Sequence, residues 1–252
     1  MNNVILFVFE GEKTEPRIFS SLQRYFFSKD KNTMLFAIYR TDIYQLWKSV
    51  SEDDDLDLIE LLREREPGLL PNVMRKDISQ IFLFFDHDAH ARKDINITNT
   101  AIKEMLTVFD NETEKGKLYI SYPMVEAIQD CKYMDTLCLK RCYVNIENNT
   151  EYKKLAKSRS DFLHIRKLNK RDWLFLINTH IKKANCLVNK CYCLPEKNAI
   201  SSLTQFNVFI NQEKMFISQN QKIAILSAFP LFIIEYFNKE IVFSKILDYN
   251  NK

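Results

Sequence analysis

Glycine is nearly absent, with 3 residues in 252, and proline is sparse at 6. Flexible linkers built from either residue are excluded, so any domain boundary has to be tight. Long apolar runs are missing as well. The longest, AFPLFII from Ala228, contains Pro230 and stops at Glu235, short of the ~20 residues that a membrane-spanning helix needs. The N-terminus, MNNVILFVFEGEK, has no basic n-region and no small-residue cleavage site, so it does not read as a signal peptide. Six cysteines lie at 131, 138, 142, 186, 191 and 193 without a C-x-x-C pair. Cys186, Cys191 and Cys193, with His180 nearby, are spaced more loosely than structural zinc sites usually are. These absences lead to the expectation of a cytoplasmic protein with reduced thiols and no membrane contact.

What is present is an ordinary globular composition, 46% hydrophobic and 27% charged. The net charge of +3 matters less than its distribution. Residues 52–66 carry eight acids against two arginines, a local −6. Residues 151–200 carry twelve Lys/Arg against four acids, a local +8. A basic segment of that size suits a phosphate-binding face, and a solvated helical surface explains it equally well. The acidic run is read as a solvated helix.

Apolar, β-rich runs at 4–9, 34–39, 80–86 and 117–121 predict four strands. Helical spacing is read at 15–28, 42–64 with an interruption at SEDDD, 98–109 and 124–142. Strands alternating with helices imply an α/β fold with a parallel four-stranded sheet flanked by helices, over residues 1–130. Residues 131–252 have helical patterns at 151–168, 170–190 and 221–238. They predict a mainly helical, basic part packed on the sheet.

Ligands of open parallel sheets bind at the carboxyl ends of the strands. Three predicted strands end in acids: Glu10, then Asp86 and Asp88 in FFDHDAH, then Glu126 in SYPMVEAI. Divalent Mg²⁺ takes oxygen ligands, commonly one or two carboxylates with water and substrate phosphate. Singly, each acid is better explained as a loop carboxylate; together they predict a Mg²⁺ or Mn²⁺ site. His87 and His90 read as surface histidines. Lys13 and Lys93 are candidates for phosphate stabilisation, though each also reads as an ordinary surface lysine.

On these residues the chain resembles the Toprim domain of topoisomerases, bacterial primases and OLD-family nucleases. More narrowly, EGEKTEP and SYPMVEAI resemble the RloB and AbiLii group of small stand-alone Toprim proteins. The resemblance covers about residues 4–130. It implies Glu10 as metal ligand or general base, Asp86 and Asp88 as metal ligands, and Glu15 and Glu126 as secondary carboxylates. The glycine that many Toprim domains carry after D-x-D is replaced by Ala89-His90-Ala91. Members of that group are encoded in prokaryotic defence loci beside an ATPase.

The implied activity is a metal-dependent endonuclease, the toxic effector of an antiviral, abortive-infection system with an ATPase partner. Transfer RNA or other RNA is the first substrate choice and DNA the second. Lys93, Lys153, Lys154, Arg166, Lys167, Lys170, Arg171, Lys182 and Lys183 would hold the phosphate backbone. Trp173, Phe175, Tyr192 and Phe206 are candidates for stacking on bases, with core packing as the competing role. The alternative is a non-catalytic subunit of an ATPase complex that binds nucleic acid or a partner. The oligomeric state is open, a homodimer included.

Overall fold

The computed structural model describes residues 4–27, 32–52, 57–65, 68, 70, 73–87, 95–133, 142–146, 151–196, 198–237 and 246. Asp88, His90 and Lys93 lie outside the described residues. The chain divides into two compact units, one of Met1–Asp86 with Asn96–Tyr119, the other of His87–Ile95 with Ile120–Lys252. The boundary expected at residue 130 thus falls within the second unit, and the chain passes from the first unit to the second between Asp86 and His87 and again between Tyr119 and Ile120.

A mostly parallel five-stranded sheet has the order β2-β1-β3-β5-β4. Its strands are β1 (Val4–Phe9), β2 (Thr33–Ile38), β3 (Ile78–Asp86), β4 (Asp110–Asn111) and β5 (Gly116–Ser121). β1 runs parallel to both β2 and β3. This central position explains VILFVF, because a strand flanked on both sides and covered on both faces has no solvent side for polar residues. Residues 5–9 are all fully buried. The fifth strand, β4, is a two-residue antiparallel edge that is too short for its periodicity to be read from sequence.

The first unit adds α1 (Thr14–Phe26), α2 (Ile43–Glu52), α3 (Leu58–Arg65) and α4 (Ile95–Val108). α1 buries Ile18, Phe19 and Leu22. Phe19 meets Phe7 at 4.2 Å between ring centroids, and Phe7 continues to Phe82 at 5.5 Å. Aromatic packing of this kind fixes α1 over the centre of the sheet.

The second unit contains β6 (Tyr143–Asn145), α5 (Tyr152–Ser158), α6 (Lys170–Asn189), α7 (Gln205–Gln212), α8 (Ser218–Asn220), β7 (Lys222–Ala224) and α9 (Ala228–Tyr236). A π-helical turn, Glu213–Ile217, joins α7 to α8. α6 opens on a capping box: Asn169 accepts from the amides of Arg171 and Asp172, and Asp172 accepts from the Asn169 amide at 2.8 Å.

Several sequence expectations change here. Of the helix expected at 124–142, residues 134–141 lie outside the described ones, and the described part holds a single 3-10 turn, Val125–Ile128, all four residues of which are buried. Burial on every side removes the amphipathic stripe that a surface helix carries. The helix expected at 151–168 ends at Ser158, and that at 221–238 is the strand β7 followed by α9. β7 pairs antiparallel with β6, and this pairing is a long-range contact invisible to local periodicity. No helix among the described residues is long and apolar enough to cross a membrane.

Candidate active site

Strand β1 ends at Phe9, and the next residue continues its ladder. The Glu10 amide donates to Phe84 O of β3 at 3.1 Å, and the Arg40 amide donates to Glu10 O at 3.0 Å. Glu10 is thus fixed by its backbone on both sides at the carboxyl edge of the two neighbouring strands. Its Oε2 accepts the Asp86 amide at 2.9 Å, bringing the Glu10 carboxylate to the last residue of β3. This contact spans 76 positions of sequence and depends on the parallel β1–β3 register.

Glu15, 5% exposed, returns from the first turn of α1 to the same edge. Its Oε1 accepts the Gly11 amide at 3.0 Å. A Cβ on residue 11 would stand 2.8 Å from Glu15 Oε2, so glycine is present to let that carboxylate approach. This is a different reason from the sharp turn suggested by the strand-to-helix junction, since the one glycine with positive φ is Gly116. Glu12 pairs with Arg40 at 2.8 Å with both side chains about half exposed, and Lys13 is exposed at the start of α1.

Glu10 thus meets the Asp86 backbone in the first unit, and Glu15 holds the amide of the residue after Glu10. Glu126 belongs to the second, on the 3-10 turn after β5. It is 4% exposed, Lys153 Nζ lies 3.3 Å from its Oε1, and its Oε2 has no hydrogen-bond partner among the described residues. A buried carboxylate oxygen without a donor is costly, and a cation or a substrate proton donor would offset that cost.

The donors gathered at Glu10 and Asp86 are hard carboxylate oxygens, which fit Mg²⁺ or Mn²⁺ chemistry with few protein ligands. Among the described residues no group of three or more His, Cys, Asp or Glu stands close enough to hold a metal ion. Of the expected ligands, Glu10 and Asp86 are the described residues that would hold it.

His87 is not a surface residue. It is fully buried in the second unit, with its ring 5.2 Å from that of Tyr122, and burial pushes its pKa down to about 4. Its alternation with two aspartates suggested a solvated turn. The buried neighbour Tyr122 comes from a segment whose packing the local pattern does not reveal.

The basic residues of the second unit separate into classes. Lys153, Lys154, Arg166, Lys167, Lys170 and Arg171 are exposed, and Lys182 is half-buried. Lys153 faces Glu126, and Lys154 faces Glu151 at 3.4 Å. Lys183 is 2% exposed with Nζ 3.8 Å from Cys131 Sγ, which removes it from a phosphate-binding surface. Burial alone would lower its pKa. Cys131, Cys142, Asp130 and Tyr192 outweigh that and hold it above the usual lysine value.

Trp173 is likewise fully buried and packs the core rather than stacking on bases. Phe206 is exposed, and Phe175 and Tyr192 are half-buried. Sequence reasoning missed Tyr133. Its ring is 45% exposed and packs at 4.7 Å on Phe162 and 4.9 Å on Phe175.

Two cysteines do not stand as separate thiols. The structure joins Cys191 to Cys193, while Cys131, Cys142 and Cys186 carry buried thiols. His180, considered beside Cys186 as a zinc ligand, is instead fully buried with Nε2 3.8 Å from Cys131 Sγ.

Comparison with protein-family models, with curated proteins and with solved structures gives no match to this chain.

Proposed function

We propose that the chain is a Mg²⁺- or Mn²⁺-dependent endonuclease of Toprim type. The observation that carries the reading is the Glu10 carboxylate bound to the Asp86 amide at 2.9 Å, at the carboxyl edge of adjacent parallel strands. That edge is where α/β sheets bind their ligands. Glu10, Asp86 and Asp88 would hold a divalent ion, which would supply charge stabilisation for a phosphodiester and a water of lowered pKa.

The chain's own groups then have separate tasks. Glu10 takes the proton of the attacking water. Glu15 holds the Gly11 amide and keeps the β1–α1 turn in place. Glu126 is a secondary carboxylate partnered by Lys153. Lys13 and Lys93 stabilise phosphate charge. Lys153, Lys154, Arg166, Lys167, Lys170, Arg171 and Lys182 supply positive charge for the nucleic-acid backbone. RNA, transfer RNA first, is the preferred substrate and DNA the second. The biological setting is a toxic antiviral effector in the cytoplasm, held in check with an ATPase partner.

The test is expression of wild type, Glu10→Gln and Asp86→Asn with Mg²⁺ or Mn²⁺, alone and with the neighbouring ATPase, followed by sequencing of cleaved RNA and DNA ends. Cleavage should disappear in both variants while circular dichroism stays that of wild type. Equal cellular toxicity and equal phage protection in all three would overturn the catalytic reading.

One observation favours a second reading. Glu10 and Glu15 each give an oxygen to a backbone amide, as carboxylates with a purely structural role do. In that case the protein is a binding subunit of an ATPase complex, and both variants keep full partner binding and full function.

A further inference from the structure

We propose that Cys191 and Cys193 form a reversible dithiol–disulfide site that exchanges with small thiols of the glutathione class. The two residues follow α6, are both exposed, and are joined with Cα atoms 5.4 Å apart. The site is separate from the carboxylate edge and does not depend on the nuclease reading.

Two features distinguish this bond from a structural staple. First, the loop it closes contains only Tyr192 between the cysteines. Cross-linking so short a loop restricts the unfolded chain very little, so little stability follows from it. Second, the segment is held in place by other bonds. Asn185, 2% exposed, donates through Nδ2 to Cys191 O at 3.1 Å and to Cys193 O at 3.0 Å. Its Oδ1 accepts from Asn189 Nδ2 at 2.9 Å, which fixes the amide orientation. The Lys190 amide closes α6 onto Cys186 O at 3.1 Å. After reduction the two thiols stay side by side, and reclosure is an intramolecular reaction at high effective concentration.

The surroundings also distinguish the two sulfurs. Asn185 Nδ2 also lies 3.4 Å from Cys193 Sγ, sharing one of its two hydrogens between that sulfur and a carbonyl, and no such donor lies at Cys191 Sγ among the described residues. A hydrogen bond to sulfur favours the thiolate, so Cys193 is the better leaving group. An incoming thiolate attacks Cys191 Sγ, the Cys191–Cys193 bond breaks, and its electron pair goes to Cys193 Sγ. A second thiolate attacks the small-molecule sulfur of the mixed disulfide, and Cys191 departs as thiolate. The two protons lost by the small thiols end on Cys191 and Cys193, and the small molecule leaves as its own disulfide. Oxidation by the small disulfide is the reverse.

The experiment equilibrates the full chain in glutathione buffers of increasing oxidised fraction, quenches with iodoacetamide, and digests after Lys190 and Lys197. The peptide 191–197 holds these two cysteines and no other. It should change from doubly alkylated to internally bonded across the series and return on re-reduction. A peptide doubly alkylated at every ratio, or one carrying two glutathiones in place of the internal bond, would overturn the proposal. Cys191→Ser and Cys193→Ser then compare the sulfurs, at exposed positions where serine leaves the fold intact. The remaining Cys193 should be alkylated several-fold faster at neutral pH than the remaining Cys191. Equal rates would overturn the leaving-group assignment.

Discussion

Gly11→Ala isolates the contact that shapes the first turn of the candidate site. An added Cβ would lie 2.8 Å from Glu15 Oε2, 3.0 Å from Oε1 and 3.3 Å from Cδ. Backbone strain does not enter, because Gly11 lacks the positive φ that Gly116 has. The carboxylate is the far end of a flexible side chain, so it can retreat by a few tenths of an ångström, at the expense of its 3.0 Å bond to the Gly11 amide. A hydrogen bond to a charged group contributes about 1.5–3 kcal/mol. Against this, alanine restricts the unfolded chain and stabilises by about 0.4–1 kcal/mol. The hydrogen-bond loss is larger, leaving a net destabilisation of about 1–2 kcal/mol. Urea denaturation followed by circular dichroism measures it. The decisive comparison is a cycle with Glu15→Ala, where the obstructing carboxylate is gone and Gly11→Ala should become neutral or stabilising. An equal effect of Gly11→Ala in both backgrounds would refute the account.

Lys183→Met should leave nucleic-acid affinity and its salt slope unchanged, because the ammonium faces Cys131, whereas removing exposed Lys167 should lower the slope by about one. Filter binding across a salt series checks both. Burial first, then the Lys183 charge, holds His180 well below its ordinary 6.5, and burial holds His87 at about 4. The unfolded chain therefore binds protons that the folded chain refuses, and stability should fall as pH drops below about 6.5. Urea midpoints at pH 7.5 and pH 5 measure the fall, which His180→Gln should lessen. Gln212, fully buried, donates from Nε2 to Ala224 O at 2.6 Å and accepts the Ala224 amide on Oε1 at 2.9 Å. Gln212→Leu strands both backbone groups and should cost about 2–4 kcal/mol in the same denaturation assay.

The sheet was legible because its central strands are short, apolar and largely buried. VILFVF, QIFLFFD and KLYIS carry their position in their composition, and Glu10 and Asp86 followed from the strand ends. The second unit was harder to read for a physical reason. α6 buries Asn178, Thr179, His180, Lys183 and Asn185, so polarity there does not mark the solvent face. A reading that equates lysine with surface therefore misplaces Lys183, and one that equates aromatic with binding misplaces Trp173. The role of Gly11 was legible only as a turn, because its actual neighbour is the Glu15 carboxylate one helical turn onward.

The scarcity of glycine and the inward-facing polar residues of the second unit have one explanation. Irregular backbone needs hydrogen-bond partners once it is buried, and these come from secondary structure, water or side chains. Here side chains supply many of them. Asn185 holds the carbonyls of Cys191 and Cys193, Gln212 holds both groups of Ala224, and His180 Nδ1 accepts the Ser227 amide at 3.1 Å. Gln205 Oε1 accepts the Ile120 amide at 3.2 Å, and Ser121 Oγ accepts the Ala228 amide at 3.3 Å. Asp130 takes Arg159 Nε at 3.0 Å and Tyr152 Oη at 3.0 Å, and so ties the segment after the 3-10 turn to α5. Each bond contributes about 1 kcal/mol when made and costs about 1–3 kcal/mol when one partner is removed. A chain with few glycines thus fixes its connecting segments by side-chain contacts, and Arg40, Leu70, Lys190 and Gln221 take the left-handed angles that glycine commonly supplies. The Ser227 contact also makes His180 an acceptor at Nδ1, which leaves the proton of the neutral ring on Nε2, toward Cys131.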